Sequence, residues 1–600
     1  MKGTGTMTFH QLKDTWDLEV FFKGGSGSAE FRQYLNEIKT LLSTFKRSAE
    51  ALTVSKSGLD ELKETLALFE TIDVKIREAD AFVGCLQAQD TADLKANALN
   101  FEVTRLAADA QKALVVLDSK FAVVPNVEWE AILQDESISD IAYILNERRE
   151  RVTEKLSSEQ ETLIQGLSVD GYHAWGDMYD SIVDQIQIPY EEDGETKILS
   201  VGQAQNLTSK PDRKIRRSVS ENLDHGWEQH ADLLSSTLNH LAGFRLNVYE
   251  ARGWDNVLKE PLDINRMKQE TLDVMWQVII DHKKPFADYL SRKASLLGLD
   301  KLSWYDVEAP IGSAAKEYSY QEAAAFITGQ FKTFGKKLSS FAEKALRDRW
   351  VEAEDRGGKR PGGFCANFPD SGESRIFMTF AGSQSNVSTL AHELGHAFHQ
   401  ESMLDVRPLN RAYAMNVAET ASTFAEMIVA DAALKQAGSD EEKIVLLEDK
   451  VQRSVAFFMN IHARFLFETR FYDERKNGVV SAGRLNELME EAQKEAFCGA
   501  LGEYHPYFWA SKLHFYITSV PFYNFPYTFG YLFSLGIYAQ ALKEGAAFEE
   551  KYIALLKDTA SMSVEELAMK HLGADLTKRD FWEAAIQPAV RDAEAFLAMT

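Results

Sequence analysis

From Phe515 to Leu542 the chain runs 28 residues without a Lys, Arg, Asp or Glu, and ten of them are aromatic. A stretch of that length must leave water, either into a bilayer or into a large protein core. Pro521, Pro526, Asn524 and Gln540 interrupt it, and its five tyrosines are spread through the middle instead of gathering at two interfaces. No Lys/Arg asymmetry that would orient a membrane span flanks it. The expectation is a buried segment or pocket wall, in a protein without a membrane partner.

A core of that size fits the rest of the chain. Its 600 residues are 45% hydrophobic and 26% charged, the balance of a globular protein. At ~150 residues per domain the length suggests about four structural units, which a large helical enzyme can merge. The net charge of −25 argues against a nucleic-acid partner, since phosphate binding depends on Lys and Arg clusters. It reads instead as a solvated acidic surface. Cys85, Cys365 and Cys498 are odd in number, far apart and without a CxxC pair, which supports reduced thiols over a disulfide framework or a cysteine metal knuckle. The opening stretch "MKGTGTMTFHQLKDTWDLEV" lacks the apolar core of a signal peptide. The expected location is cytoplasmic.

Helical periodicity dominates. In "SAEFRQYLNEIKTLLSTF" Phe31, Tyr34, Leu35, Ile38, Leu41, Leu42 and Phe45 follow a three-four spacing behind Ser28, a candidate N-cap. "SVEELAMKHLG" pairs Ser563 with Glu566 as a capping box and ends on Gly573. Only 13 prolines fits long helices with short connections. Two regions differ. "IQIPYEEDGETKILSV" (186–201) places Asp193-Gly194 between extended runs, which predicts a hairpin and a boundary near residue 200. This divides the chain into an N-terminal helical region, 1–200, and a region 201–600. In "KRPGGFCANFPDSGESRIFMTFAGSQSN" a strand is expected at 375–380, with a helix starting near Ser385 or Asn386.

That helix carries His392-Glu393-Leu394-Gly395-His396, an HExxH. Positions i and i+4 share one helix face, about 6 Å apart along the axis. Two imidazoles there can hold one Zn²⁺. Glu393, beside them, can take a proton from water whose pKa such a metal lowers to ~7. The pattern is short and also occurs in helices with incidental histidines, so the third ligand matters.

His399 falls on nearly the same face, but three side chains stacked along one straight helix converge poorly on a tetrahedral ion. HExxHxxGxxH would need Gly at 399 and His at 402, where this chain has His399 and Ser402. "YAMNVAETASTFAEMIVADAAL" offers Glu419 on a second expected helix that can cross the first. Two histidines and one Glu leave an open position for water and substrate. Glu426 either orients a ligand histidine through its second nitrogen or is an ordinary surface carboxylate.

"TLAHELGHAFH" followed by "VAETASTFAE" resembles the thimet oligopeptidase superfamily of zinc peptidases. "KRPGGFC", "HFYITSVPFYNFPYTFGYLF", "WDLEVFF" and the hairpin region resemble its bacterial branch, the oligoendopeptidase F family, so the likeness covers nearly the whole chain. The resemblance implies a mainly α, two-lobed metallopeptidase with a small β-sheet beside the HExxH helix and a deep internal cavity. It implies an endopeptidase that cuts short oligopeptides, with one Zn²⁺ per chain on His392, His396 and Glu419 and Glu393 as general base. Gly362 and Gly363 of "PGGF" and the adjacent strand resemble the family's substrate-contacting edge, where glycines permit close backbone approach. His399 joins these glycines as a substrate-binding residue.

Hydrolysis at such a site builds negative charge on the former carbonyl oxygen, and neutral donors aimed at it stabilise that charge. The family supplies them from a C-terminal His and nearby tyrosines, which His514, Tyr523, Tyr527 and Tyr531 resemble, Tyr531 being the first choice. Phe515, Phe522, Phe525, Phe529 and Phe533 read as core, and His505 as a satisfied structural histidine. Two other readings remain: an exopeptidase of related chemistry, against which the absence of a GxMEN-type anchor weighs, and a peptide-binding relative without catalysis. The oligomeric state, monomer or homo-oligomer, is open at this level.

Overall fold

The computed structural model describes residues 12–192, 194–312 and 317–600. Asp193, expected at the hairpin tip, and residues 1–11, part of the stretch read against a signal peptide, lie outside the described residues. The chain is mainly helical, with three small sheets among the described residues. It forms two compact units, each gathered from three segments: residues up to 155, 315–432 and 540–574 in the first, 156–314, 433–539 and 575–600 in the second. The boundary expected near residue 200 divides the chain once, and the hairpin beside it lies within the second unit. Apolar helix faces find partners by complementarity, so a turn in the sequence does not mark where a core ends.

In the first unit the helices Ala29–Ala51, Leu59–Gln89 and Leu94–Ala122 pack on one another. Ser28 caps the first, its Oγ accepting the Phe31 amide at 3.2 Å, which satisfies one of the N–H groups a helix start leaves unpaired. Phe31, Leu35, Ile38, Leu42 and Phe45 are buried, while Tyr34 and Leu41 pack half-buried at the rim. Each such fully buried side chain contributes about 1.5–3 kcal/mol. Ser563 and Glu566 form the expected capping box, and Gly573 ends that helix at φ +64°.

The sheet of this unit orders its strands Val351–Glu352, Glu373–Phe377 and Phe364–Phe368. The central strand runs parallel to the first and antiparallel to the last, with Phe364 opposite Phe377. The strand expected at 375–380 therefore starts two residues earlier. Beyond Phe377 the Met378 and Phe380 amides still bond to Glu352 and Ala353, so the extended run continues, paired on one side only. "WDLEVFF" locks this sheet. The Trp16 amide donates to Glu352 at 3.2 Å, and buried Arg375 donates to the Asp17 carbonyl at 3.0 and 3.1 Å while lying over the Phe21 ring.

In the second unit the strands Ile188–Glu192 and Glu195–Leu199 form the expected antiparallel hairpin, Ile188 opposite Leu199, with Gly194 at φ +83° in the turn. A 40-residue helix, Arg213–Arg252, is capped by Asp212 and ended by Gly253 at φ +72°. The helix Ile461–Arg475 packs against it and against Ala482–Ala496, and Asp440–Val455 packs on Arg579–Met599. No helix among the described residues is long and apolar enough to cross a membrane. The uncharged run is instead packed: from Pro521 to Tyr538 every residue is buried except Tyr523 and Tyr527.

Candidate metal centre

The HExxH helix runs Gln384–Ser402, one or two residues earlier than expected, because Ser383 and Asn386 cap it reciprocally. His392 and His396 project from one face, their Nε2 atoms 3.1 Å apart. Glu419 lies at the break between the short turn Met415–Ala418 and the helix Thr420–Gln436, not within a continuous helix. Its Oε2 lies 3.3 Å from His392 Nε2 and 3.4 Å from His396 Nε2, and Ser422 Oγ donates to it at 2.7 Å.

These separations test whether the residues suit a metal. At Zn–N and Zn–O bonds of about 2.0–2.1 Å, a regular tetrahedron has edges of about 3.3–3.4 Å. The three observed edges are 3.1, 3.3 and 3.4 Å, so the donor atoms already stand where three ligands of one tetrahedral ion stand. Among the described residues this is the one such His/Cys/Asp/Glu group. His392 Nδ1 lies 2.5 Å from Glu426 Oε1, so a proton held there leaves the Nε2 lone pair directed at the centre. Of the two readings of Glu426, the orienting one matches this contact.

The electrostatics follow the same division. Burial alone would raise the Glu419 carboxyl, but the hydrogen bond from His396 and the two imidazoles outweigh it and hold the group down at about 2. Burial pushes the Glu393 carboxyl up, with both imidazoles opposing and Glu419 adding to the rise. Glu393 is buried and its Oε2 has no hydrogen-bond partner. Its Oε1 would lie 3.4 Å from a β-carbon on Gly363, so the general-base candidate faces the start of the strand Phe364–Phe368, an edge of its sheet. Gly362 precedes it at φ +93° with open space around its Cα.

Gly395 makes the site possible, a role the sequence reading missed. A β-carbon there would meet the Ala421 carbonyl oxygen at 2.5 Å and Ser422 Cα at 2.6 Å. The two chain segments therefore touch backbone to backbone just beyond Glu419. A glycine in mid-helix costs about 1 kcal/mol relative to alanine, and that was the available signal.

His399 is a correction. Expected among substrate-binding residues, it is fully buried, with Nε2 2.9 Å from Thr559 Oγ1 and its ring stacked on Tyr413 at 4.2 Å. Burial, with His396 adding to it, pushes its pKa down to about 3. One turn beyond His396 the same helix face has already entered the core.

The second unit carries the remaining candidates. His514, Tyr523 and Tyr527 cluster, with ring centres 5.4 Å (His514–Tyr523), 6.5 Å (His514–Tyr527) and 5.8 Å (Tyr523–Tyr527) apart. His514 is half-buried, its Nδ1 lacks a hydrogen-bond partner, and burial together with the Arg464 and Lys512 charges pushes it down to about 4. At neutral pH its imidazole is uncharged. Tyr531, the first choice from sequence, does not belong with them. It is buried, its hydroxyl lies 2.9 Å from Ser454 Oγ, and its ring stacks on Phe457 at 4.4 Å. One helical turn past Tyr527 carries it into the packing. The sequence reading also passed over what holds Tyr523. Phe522 has φ +52°, the Glu468 carboxyl accepts its amide, and Arg464 donates to Asn524 at 2.9 Å. His505 Nδ1 sits 2.9 Å from Asp224 Oδ1 without a hydrogen bond between them, so the satisfied histidine expected from sequence is held through its backbone, which Gln493 pairs at both the amide and the carbonyl.

The family model described as "Peptidase family M3" matches residues 206–588, and the model described as "Oligopeptidase F" matches 121–187. The chain is 22% identical to an oligoendopeptidase F homologue of Lactococcus lactis, over 96% of this chain and 95% of that one. It is 22% identical to the oligopeptidase PepF of Bacillus subtilis, over 96% and 85%. The fold is shared with a Chlamydophila abortus structure (TM-score 0.84, 19% identity, 99% and 100% covered) and with the oligoendopeptidase F of Enterococcus faecium (TM-score 0.70, 18% identity, 95% and 98% covered).

Proposed function

Because the chain belongs to peptidase family M3, we propose that it is a zinc-dependent endopeptidase that hydrolyses internal bonds of short peptides. The observation that carries this reading is the triangle of His392, His396 and Glu419 donor atoms, whose edges match one tetrahedral ion. Zinc held there would polarise the scissile carbonyl and make a water molecule acidic enough to react at neutral pH. The names of the Lactococcus and Bacillus relatives support peptides as substrates.

The chain's own residues then divide the work. Glu393 takes a proton from the attacking water as the carbon–oxygen bond forms, and returns it to the amine as the carbon–nitrogen bond breaks. Glu426 fixes the His392 ring through Nδ1. The free edge of Phe364–Phe368, entered through Gly362 and Gly363, accepts the peptide as an added strand. His514, Tyr523 and Tyr527 donate neutral hydrogen bonds to the carbonyl oxygen as its charge develops.

The test is Glu393→Gln together with an internally quenched peptide blocked at both ends. The wild type should cut the blocked peptide at an internal bond, lose activity to a chelator and regain it with zinc. The variant should keep its zinc and lose nearly all turnover. Undiminished turnover in the variant, or trimming of free termini with no cut in the blocked peptide, would reject the reading.

A further inference from the structure

Arg464 and Lys512, both in the second unit, stand over the same aromatic ring: Arg464 Cζ is 5.2 Å and Lys512 Nζ 5.0 Å from the centre of Phe508. Both line a cavity of about 300 Å³ in that unit, with Trp227, Trp304 and Phe497 among its walls. Arg464 donates Nε to Asn460 and Nη1 to Asn524, each at 2.9 Å. Its Nη2 and the Lys512 ammonium have no hydrogen-bond or ion-pair partner among the described residues. Neither carboxylate of the wall, Asp224 beside His505 or the exposed Glu308, forms an ion pair with them, although the Glu308 charge acts on both from a distance.

Two like charges near one ring, partly shielded from water, raise each other's free energy. Burial and Arg464 push Lys512 down to about 8 with Glu308 opposing, and burial pushes Arg464 down to about 10 with Glu308 and Tyr527 opposing. An anion between them would relieve both the repulsion and the desolvation. The walls narrow the choice. Trp227, Phe497 and Phe508 are buried behind the wall, and the half-buried Trp304 and Tyr305 favour an anion with an apolar body over a hydrated inorganic ion. The nearby Asp224 and Glu308 favour one negative charge over two. A carboxylate can take the remaining Arg464 nitrogen and the rotatable Lys512 donors as charge-assisted hydrogen bonds. The volume lies at the small end of ligand sites, which span roughly 300–1,000 Å³.

We propose that this cavity binds the free C-terminal carboxylate of a short peptide, with Arg464 and Lys512 as counter-charges and Trp304 and Tyr305 receiving the terminal side chain. A free carboxylic acid with an apolar body shares this chemistry; the peptide as its carrier rests on the peptidase reading. The site adds affinity for peptides that end in a carboxylate. Blocked peptides are still cut, at a higher KM.

The test is calorimetric titration of the full chain with N-acetyl-L-phenylalanine and with N-acetyl-L-phenylalaninamide. The acid should bind at least about tenfold more tightly than the amide, the loss expected for one charge-assisted contact. Lys512→Met should abolish that preference and leave amide binding unchanged, and Lys512→Arg should restore it. Equal binding of acid and amide, or a Lys512→Met protein that keeps the preference, overturns the site. In Glu393→Gln protein, Ala-Ala-Phe as free acid should bind more tightly than N-acetyl-L-phenylalanine; weaker binding overturns the peptide as carrier. The single-residue titration needs neither metal nor cleavage. A lost acid preference with cleavage intact therefore defeats this site alone, and lost cleavage with the preference intact defeats the peptidase reading.

Discussion

Gly395 and Ala421 touch so closely that a β-carbon on the glycine would stand 2.5 Å from the alanine carbonyl oxygen. The contact is backbone to backbone, so neither side can yield by rotating a side chain. Gly395→Ala should destabilise the protein by about 1–3 kcal/mol, the usual cost of overpacking, although the same change in an exposed helix is stabilising. It should also push Glu419 away from the histidines. Thermal denaturation and a zinc-competition titration should both register it; a variant as stable and as tight for zinc as the wild type would remove Gly395 from the account.

Glu426 meets the proposed metal site at His392 Nδ1. Glu426→Ala should weaken zinc binding by about 10–100-fold, the typical effect of losing such a partner. Measured with a competing chelator, an affinity unchanged from the wild type would return Glu426 to the status of a neighbouring carboxylate.

Tyr523 and Tyr527 are the two residues between Pro521 and Tyr538 that are not buried, whereas the Tyr531 hydroxyl meets Ser454. Tyr523→Phe and Tyr527→Phe should each lower kcat, toward the 10²–10³-fold loss typical of a removed oxyanion donor. Tyr531→Phe should change kcat far less and lower stability by about 1 kcal/mol for its lost hydrogen bond. The reverse ranking of kcat would restore Tyr531 as the first choice.

Glu468 is buried; its surroundings exclude water and push its pKa up to about 8, with the Arg245 charge and the Phe522 amide opposing. Above its ordinary value of 4.5 the unfolded chain releases this proton, while the folded chain keeps it until about pH 8. Stability from this group is therefore greatest below pH 4.5 and falls as pH rises through that window. Glu468→Gln keeps an acceptor for Phe522 and cannot titrate. Its melting temperature relative to wild type should rise from pH 5 to pH 8 and level off above. A difference independent of pH would show that Glu468 does not hold its proton in the fold.

Local rules made much of this protein legible before its fold was known. The period of apolar residues from Phe31 to Phe45, the Ser563–Glu566 cap and the HExxH spacing are set by the geometry of one helix, which operates within a few residues. The uncharged run from Phe515 to Leu542 announced a buried segment because burial of charge is costly wherever the segment ends up. Depth and partnership are another matter. His392, His396 and His399 share a face by spacing alone, yet packing against Thr559 and Tyr413 takes His399 into the core. Tyr523, Tyr527 and Tyr531 recur every four residues, and contact with Ser454 and Phe457 removes the last. Glu419 reaches the histidines because Gly395 lets two backbones touch, and Arg464 and Lys512, 48 residues apart in the chain (512 − 464), reach one Phe508 ring. Periodicity names the residues that face one way. Only the packed structure decides which of them meet solvent, which meet one another, and which vanish into the core.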